Sequence, residues 1–167
     1  LFNPQHYSGR LLYFDLDTVI VNNIDYLLEL DDRYFWAVLD FKHLWRGNWR
    51  GINSSIMSWN PRRVDYIWKD FTKHNISVLI KRHHGDQDYL TTVLQQDKLK
   101  YINKQVVKSW RWQVFNGGID TKTRKYKYND GASRFDPDTQ VLVFHGHPKP
   151  HDINDPLIQK HWKLKHK

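Results

Sequence analysis

The stretch "LLYFDLDTVI", residues 11–20, limits what this chain can fold into more than any other. Four residues led by Leu11 run straight into Asp15, Leu16 intervenes, and Asp17 precedes a second apolar run. Residues 10–14 read as a buried strand, and the β-branched residues 18–21 continue it past a kink. An unpaired carboxylate is costly in such a place, so the segment predicts a positive partner for the pair. On a continuing strand Asp15 and Asp17 project from one face. Their mutual repulsion is relieved by a hard divalent cation with oxygen ligands. The alternative is a strand-end turn carrying two solvated acids. The apolar run before them favours a strand's carboxyl end, where open α/β sheets bind ligands.

Further along, residues 24–30 read as a short helix, 34–39 as a strand ending at Asp40, and 52–59 as another strand. Residues 42–51, "KHLWRGNWRG", read as a basic, aromatic loop. Asn60 and Pro61 suit the N-cap and first position of a helix. Val64, Ile67, Trp68 and Phe71 then share one helical face. Residues 87–95 read as a helix with Asp86 at its start; 106–114 and 140–144 read as strands, with a polar, turn-rich excursion at 116–138. Strands mixed with helices in a chain of 167 residues predict one α/β or α+β domain.

Composition narrows the partners. Lys and Arg number 26 against 18 acids, a net charge of +8, which favours nucleic acid, a phosphate-bearing substrate or an acidic membrane surface. The absence of Cys excludes a disulfide scaffold and a thiolate zinc site, and it fits a reducing, cytoplasmic compartment. No apolar run reaches the length of a membrane span, and no signal peptide is visible. Residue 1 is Leu and the best strand begins almost at once, so the reading expects an earlier start to the protein and a missing N-terminal part.

Three more stretches carry chemistry. In "VFHGHPKPH", residues 143–151, His145 is a metal-ligand type, Gly146 permits close backbone approach, and Lys149 supplies a point charge suited to phosphate. A basic turn with idle histidines is the plainer reading. In "GDQDYL", residues 85–90, Asp86 reads as a helix-start acid or as a carboxylate facing a sugar hydroxyl. In "GINSSIMSWN", residues 51–60, Asn53, Ser54 and Ser55 are polar within an apolar strand and need partners, either a neighbouring loop or a ligand.

Taken in order, strand-D-x-D, G-x-N-S-S, G-D-Q-D and a strand closing on F-H-G-x-P-K-P resemble the nucleotide-sugar glycosyltransferases of the GT-A fold. The likeness is to family-8-like enzymes and related bacterial and large-virus domains, over roughly residues 9–162. It implies an α/β, Rossmann-like fold with a mixed central sheet flanked by helices. It implies a catalytic domain at 1–162 that lacks the strand and loop for the nucleotide base, followed by a basic tail or linker at 163–167. The implied reaction moves a hexose or deoxyhexose from a nucleoside-diphosphate sugar, a UDP-sugar first, to a glycan or glycoprotein acceptor. The resemblance makes Asp15, Asp17 and His145 ligands of Mn²⁺, with Mg²⁺ as a substitute. It puts Gly146 and Lys149 at the diphosphate, and Asn53, Ser54, Asp86 and Gln87 along the sugar pocket, with Asp15 also on the donor side. His151 stands where family 8 has Trp after its Lys-Pro. The family-8 likeness by itself points to retention, whereas a carboxylate at a helix start beside Gly85 favours an inverting enzyme with Asp86 as base.

Two rivals belong to other classes. A nucleic-acid-binding module would use the net charge and the eight Trp for phosphate contacts and stacking, through "KSWRW" at 108–112 and the 42–51 loop. In the transferase reading no nucleic acid is expected, and exposed aromatics stack on acceptor sugar. A D-x-D metal nuclease or phosphohydrolase needs further metal-binding acids. The final "KHWKLKHK" reads as a solvated tail, a linker, or a patch for peripheral contact with acidic membranes.

Overall fold

The computed structural model describes residues 1–115 and 134–162, with the backbone of 117–119 and 126–128 between them. The strands are β1 (Leu11–Phe14), β2 (Thr18–Ile20), β3 (Phe35–Leu39), β4 (Ile52–Trp59), β5 (Leu99–Tyr101), β6 (Val107–Ser109), β7 (Gly117–Ile119), β8 (Tyr126–Tyr128) and β9 (Val141–Val143). The α-helices are α1 (Asp25–Leu28), α2 (Asp65–Lys73), α3 (Ile76–Arg82), α4 (Asp86–Val93) and α5 (Pro156–His161). This is the mixed α/β class that the sequence predicts. The chain forms two compact units: Leu1–Asp15 with Asp25–Lys104, and Leu16–Ile24 with Gln105–Lys167.

The first unit is built on a sheet of order β1-β4-β3-β5. β4 runs antiparallel to both β1 and β3, and β5 joins β3 in parallel after the crossover through α2, α3 and α4. β4 is buried along its whole length. Its Ile52, Met57 and Trp59 share a core cluster with Phe35, Ile67 and Leu90. Phe35 and Trp59 stack with ring centroids 5.8 Å apart, and Phe2 packs on the same indole at 4.9 Å.

The second unit holds the sheet β2-β9-β6 and the hairpin β7-β8. β2 pairs antiparallel with β9, and β6 pairs parallel with it. Here Val19, Trp110, Val114, Leu142, Phe144 and Ile158 make the core, and Trp110 lies flat on Phe144 at 5.0 Å.

Several expectations are corrected. Residues 18–21 do not continue the first strand: β2 belongs to a different sheet, and Leu16 and Asp17 form a turn between them. Leu16 is 93% exposed, as an apolar residue at such a turn must be when neither sheet covers it. Residues 106–114 are not one strand; β6 is short, and Trp110–Val114 is a π-helical turn whose first and last side chains are both buried. The helix expected from Asn60 begins at Asp65, because Asn60 accepts the Arg62 N–H in a turn instead. α3 and β5 were not anticipated. Most of 116–138 and all of 163–167 lie outside the described residues.

Trp59→Ala should therefore lose about 3–5 kcal/mol, the usual cost of emptying a large buried aromatic site. Leu16→Ala should change stability by no more than about 0.5 kcal/mol. Urea unfolding of both variants beside wild type checks this contrast; equal losses would contradict the core assignment.

Candidate functional site

In the second unit, chain geometry brings the D-x-D's second acid to the closing motif. β2 and β9 are registered with Thr18 opposite Val143, and the Phe144 N–H donates to the Asp17 carbonyl at 3.0 Å. Asp17 thus sits beside the end of β9, where His145 follows. Gly146 then takes φ +76°, a left-handed conformation that favours glycine, and turns the chain. The Lys149 ammonium returns to ion-pair with the Asp17 carboxylate, the two side chains being 32% and 23% exposed. Lys149 also donates its N–H to the Asp152 carboxylate at 2.8 Å, while the Asp152 N–H bonds the Lys149 carbonyl at 2.9 Å. That Lys149 N–H is the chief reason the Asp152 carboxyl is held below its ordinary range. Its stabilising share is present above the unfolded-state value and is lost as pH falls through the folded one.

His145 is fixed by its neighbours. Its Nε2 lies 2.6 Å from the Oγ of Ser109, which is fully buried at the end of β6, and the Trp112 ring packs against the imidazole at 3.9 Å.

The first unit carries its own polar cluster. β3 shifts register against β4 between Ala37 and Val38, passing from Met57 to Asn53. A break of this kind takes backbone groups out of the ladder. Gln87, in the first turn of α4, fills the gap: its Oε1 accepts from Asn53 Nδ2 at 3.3 Å and from the Ser54 N–H at 3.4 Å. Its Nε2 donates to Asp40 at 3.5 Å, and the Trp49 indole N–H donates to the same carboxylate oxygen at 3.0 Å. Asp40 is buried and also has the Lys42 ammonium 3.8 Å away. Asp15 ends β1, accepts the Tyr13 hydroxyl at 2.7 Å, and donates its N–H to Ser55 at 2.8 Å. Asp86 is exposed and lines an apolar cavity of about 390 Å³ with Phe71, Ile76, Ile80 and Tyr89.

The structure thus joins Asp17 to Lys149 in one unit, and Asn53 and Ser54 to Gln87 in the other. Sequence reasoning had Asp40 only as a strand end, and Ser109 and Trp112 only within the "KSWRW" stretch of the nucleic-acid alternative. Among the described residues no group of three or more His, Asp or Glu side chains comes together as a metal cage. Within the second unit, Asp17 and His145 are an oxygen and a nitrogen donor of the types a divalent cation takes, and the ammonium drawn onto Asp17 shows that this carboxylate takes a positive partner. Of the eight Trp, Trp45 and Trp112 are the exposed ones. No described helix is long and apolar enough to cross a membrane.

The sequence matches no protein-family model and no curated protein. Solved structures do match. The glycosyltransferase GlyE of Streptococcus pneumoniae TIGR4 superposes with a TM-score of 0.57 at 19% identity, over 88% of this chain and 37% of GlyE. LgtC, a galactosyltransferase bound to donor and acceptor sugar analogues, gives 0.54 at 13% identity over 93% of this chain and 62% of LgtC. An active-site variant of LgtC gives 0.54 at 14% identity, over 90% and 59%. The chain spans between 37% and 62% of the length of these neighbours. The fold is that of these glycosyltransferases, GT-A-like as the sequence predicts.

Asp17→Ala and Lys149→Ala should each lower stability, and the double variant should lose less than their sum by about 0.5–3 kcal/mol. Urea unfolding of the four proteins measures that coupling; strictly additive losses would mean the ion pair contributes nothing to folding.

Proposed function

We propose that this chain carries out metal-dependent glycosyl transfer from a nucleoside-diphosphate hexose or deoxyhexose, a UDP-sugar first, to a glycan or glycoprotein acceptor. The observation that carries the reading is the pairing of Lys149 with Asp17, 132 positions apart, which unites the D-x-D with the closing motif in a fold shared with glycosyltransferases. The net charge of +8 suits an anionic donor.

Asp15, Asp17 and His145 are the proposed ligands of Mn²⁺, which when bound offsets negative charge on the departing diphosphate. Lys149 adds a second positive charge on the same leaving group. Asn53, Ser54, Gln87 and Gly146 are the proposed contacts to the donor. The acceptor hydroxyl oxygen bonds to the anomeric carbon as the bond from that carbon to the diphosphate oxygen breaks. Asp86 takes the hydroxyl proton, and the nucleoside diphosphate leaves with the bonding pair. Its place in the first turn of α4 keeps a negative charge favourable there, as a base requires.

Titration calorimetry with UDP and MnCl₂ is the direct test. Wild type should bind the diphosphate far more tightly with the metal than without it, and Asp15→Ala or Asp17→Ala should weaken that binding tenfold or more. Unchanged affinity in both variants would remove the metal assignment.

The base assignment is read from stereochemistry. NMR of the product's anomeric centre should show inversion, and Asp86→Asn should lower kcat at least a hundredfold, within the range ascribed to general bases. Retention of configuration would overturn the role of Asp86, and near-normal turnover would move it to another carboxylate.

A further inference from the structure

The segment between β3 and β4 is basic and well anchored. From Phe41 to Val64 the chain has no Asp or Glu, and Lys42, Arg46 and Arg50 stand near the start of that run. Asp40 caps a 3₁₀ turn, Phe41–Leu44, by accepting the Lys42 N–H at 3.0 Å, and Phe41 is buried under it. The Arg46 N–H donates to the Lys42 carbonyl at 2.9 Å, and the Trp49 N–H to the Arg46 carbonyl at 2.8 Å. Trp49 ties down the far side. Its indole N–H reaches the buried Asp40 carboxylate at 3.0 Å, and its ring carries the Lys42 ammonium at 4.9 Å and the Arg46 guanidinium at 5.9 Å. Gly51 makes room for that indole, since a Cβ there would stand 2.8 Å from Trp49 Nε1. The Tyr101 hydroxyl then holds the Arg50 carbonyl.

What this scaffold holds out to solvent is an aliphatic side chain beside an indole. Leu44 is 41% and Trp45 54% exposed, with Lys42, Arg46 and Arg50 exposed around them. We infer that the 42–50 loop is a contact for an anionic lipid surface. An indole favours the headgroup level of a bilayer, an aliphatic group the boundary with the acyl chains, and cations the anionic headgroups. Leu44 and Trp45 enter the headgroup region while Lys42, Arg46 and Arg50 meet lipid phosphates. The acid-free sequence leaves no like-charged carboxylate within the loop to oppose that approach. A nucleic acid fits less well, because a stacking platform offers successive open aromatic faces. Here the Trp49 ring already carries two cations, and Leu44 has no ring to offer. The inference stands on the loop alone and does not depend on the transferase reading.

The test is sedimentation of the full chain with vesicles of two parts phosphatidylcholine to one part phosphatidylglycerol. Wild type should bind these at least tenfold more tightly than pure phosphatidylcholine vesicles. Leu44→Ser combined with Trp45→Ser should weaken binding tenfold or more. Arg46→Gln and Arg50→Gln should each weaken it about fivefold at low salt. Vesicles with brominated acyl chains should quench the fluorescence of wild type more than that of Trp45→Phe. Unchanged affinity in the folded double variant overturns the inference, as does equal quenching of wild type and Trp45→Phe. A single-stranded oligonucleotide that binds more tightly than the vesicles, and loses that affinity in Trp45→Ser, also overturns it and assigns the loop to nucleic acid. Should the double variant fail to fold, the quenching of Trp45→Phe decides.

Discussion

Asp17 carries a carboxylate that is less than one-quarter exposed, and the second unit is arranged around meeting that charge. A partly desolvated anion needs a counter-charge held at short range. Three constraints bring Lys149 to it. The β2–β9 pairing fixes the Asp17 backbone, the left-handed Gly146 turns the chain after His145, and the Lys149–Asp152 hydrogen bonds clamp the return. The strand pairing in turn depends on the apolar packing of Val19, Leu142 and Phe144 beneath it. Burial thus provides the rigidity, and the ion pair uses it.

The first unit meets a related need by different means. Asp40 is also buried, yet its partners are mostly neutral donors: the Trp49 indole, the Gln87 amide and the Lys42 backbone N–H. Among the described residues, the Lys42 ammonium, at 3.8 Å, is the cation that pairs with it. Gln87 is held in place by the same register break that exposes Ser54's N–H to it. A side chain that satisfies a strand irregularity cannot swing away without leaving backbone donors unpaired, which costs about 1–3 kcal/mol for each group. Gln87 is therefore fixed for structural reasons at a position that the family resemblance assigns to sugar binding.

Elements set by local chemistry were legible in the chain itself. β4 runs from Ile52 to Trp59 as expected because Gly51 and Asn60 bound an unbroken, strand-forming run. Residues 106–114 misled for a physical reason. The β-branched and aromatic content favours a strand, but Trp110 and Val114 pack inward while Trp112 between them is exposed, and a strand would set all three on one face. α3 escaped notice because it is only seven residues long: Ile76, Leu79 and Ile80 share one face, but so short a run carries little periodic signal. The site divides along the same line. Asp15, Asp17, His145 and Lys149 stand out by motif. Asp40 and Ser109 also meet partners distant in sequence, Gln87 and His145, and no spacing rule carries that information.

Charge balance also limits how the proposed ligands can arrive. One ammonium cannot fully serve both Asp17 and a diphosphate. While Lys149 pairs with Asp17, a divalent cation approaching that carboxylate meets a positive charge already in place, and a diphosphate meets a lysine already engaged. Each ligand relieves the obstacle facing the other. A cation on the D-x-D frees the ammonium for phosphate, and a phosphate that draws the ammonium away uncovers the carboxylate for a cation. Such coupling is reciprocal by thermodynamic necessity. On the proposed reading, Lys149 would bear on the metal affinity as well as on the diphosphate affinity, although it can ligate no metal while protonated. Without a cation, the lysine is what meets the charge of Asp17.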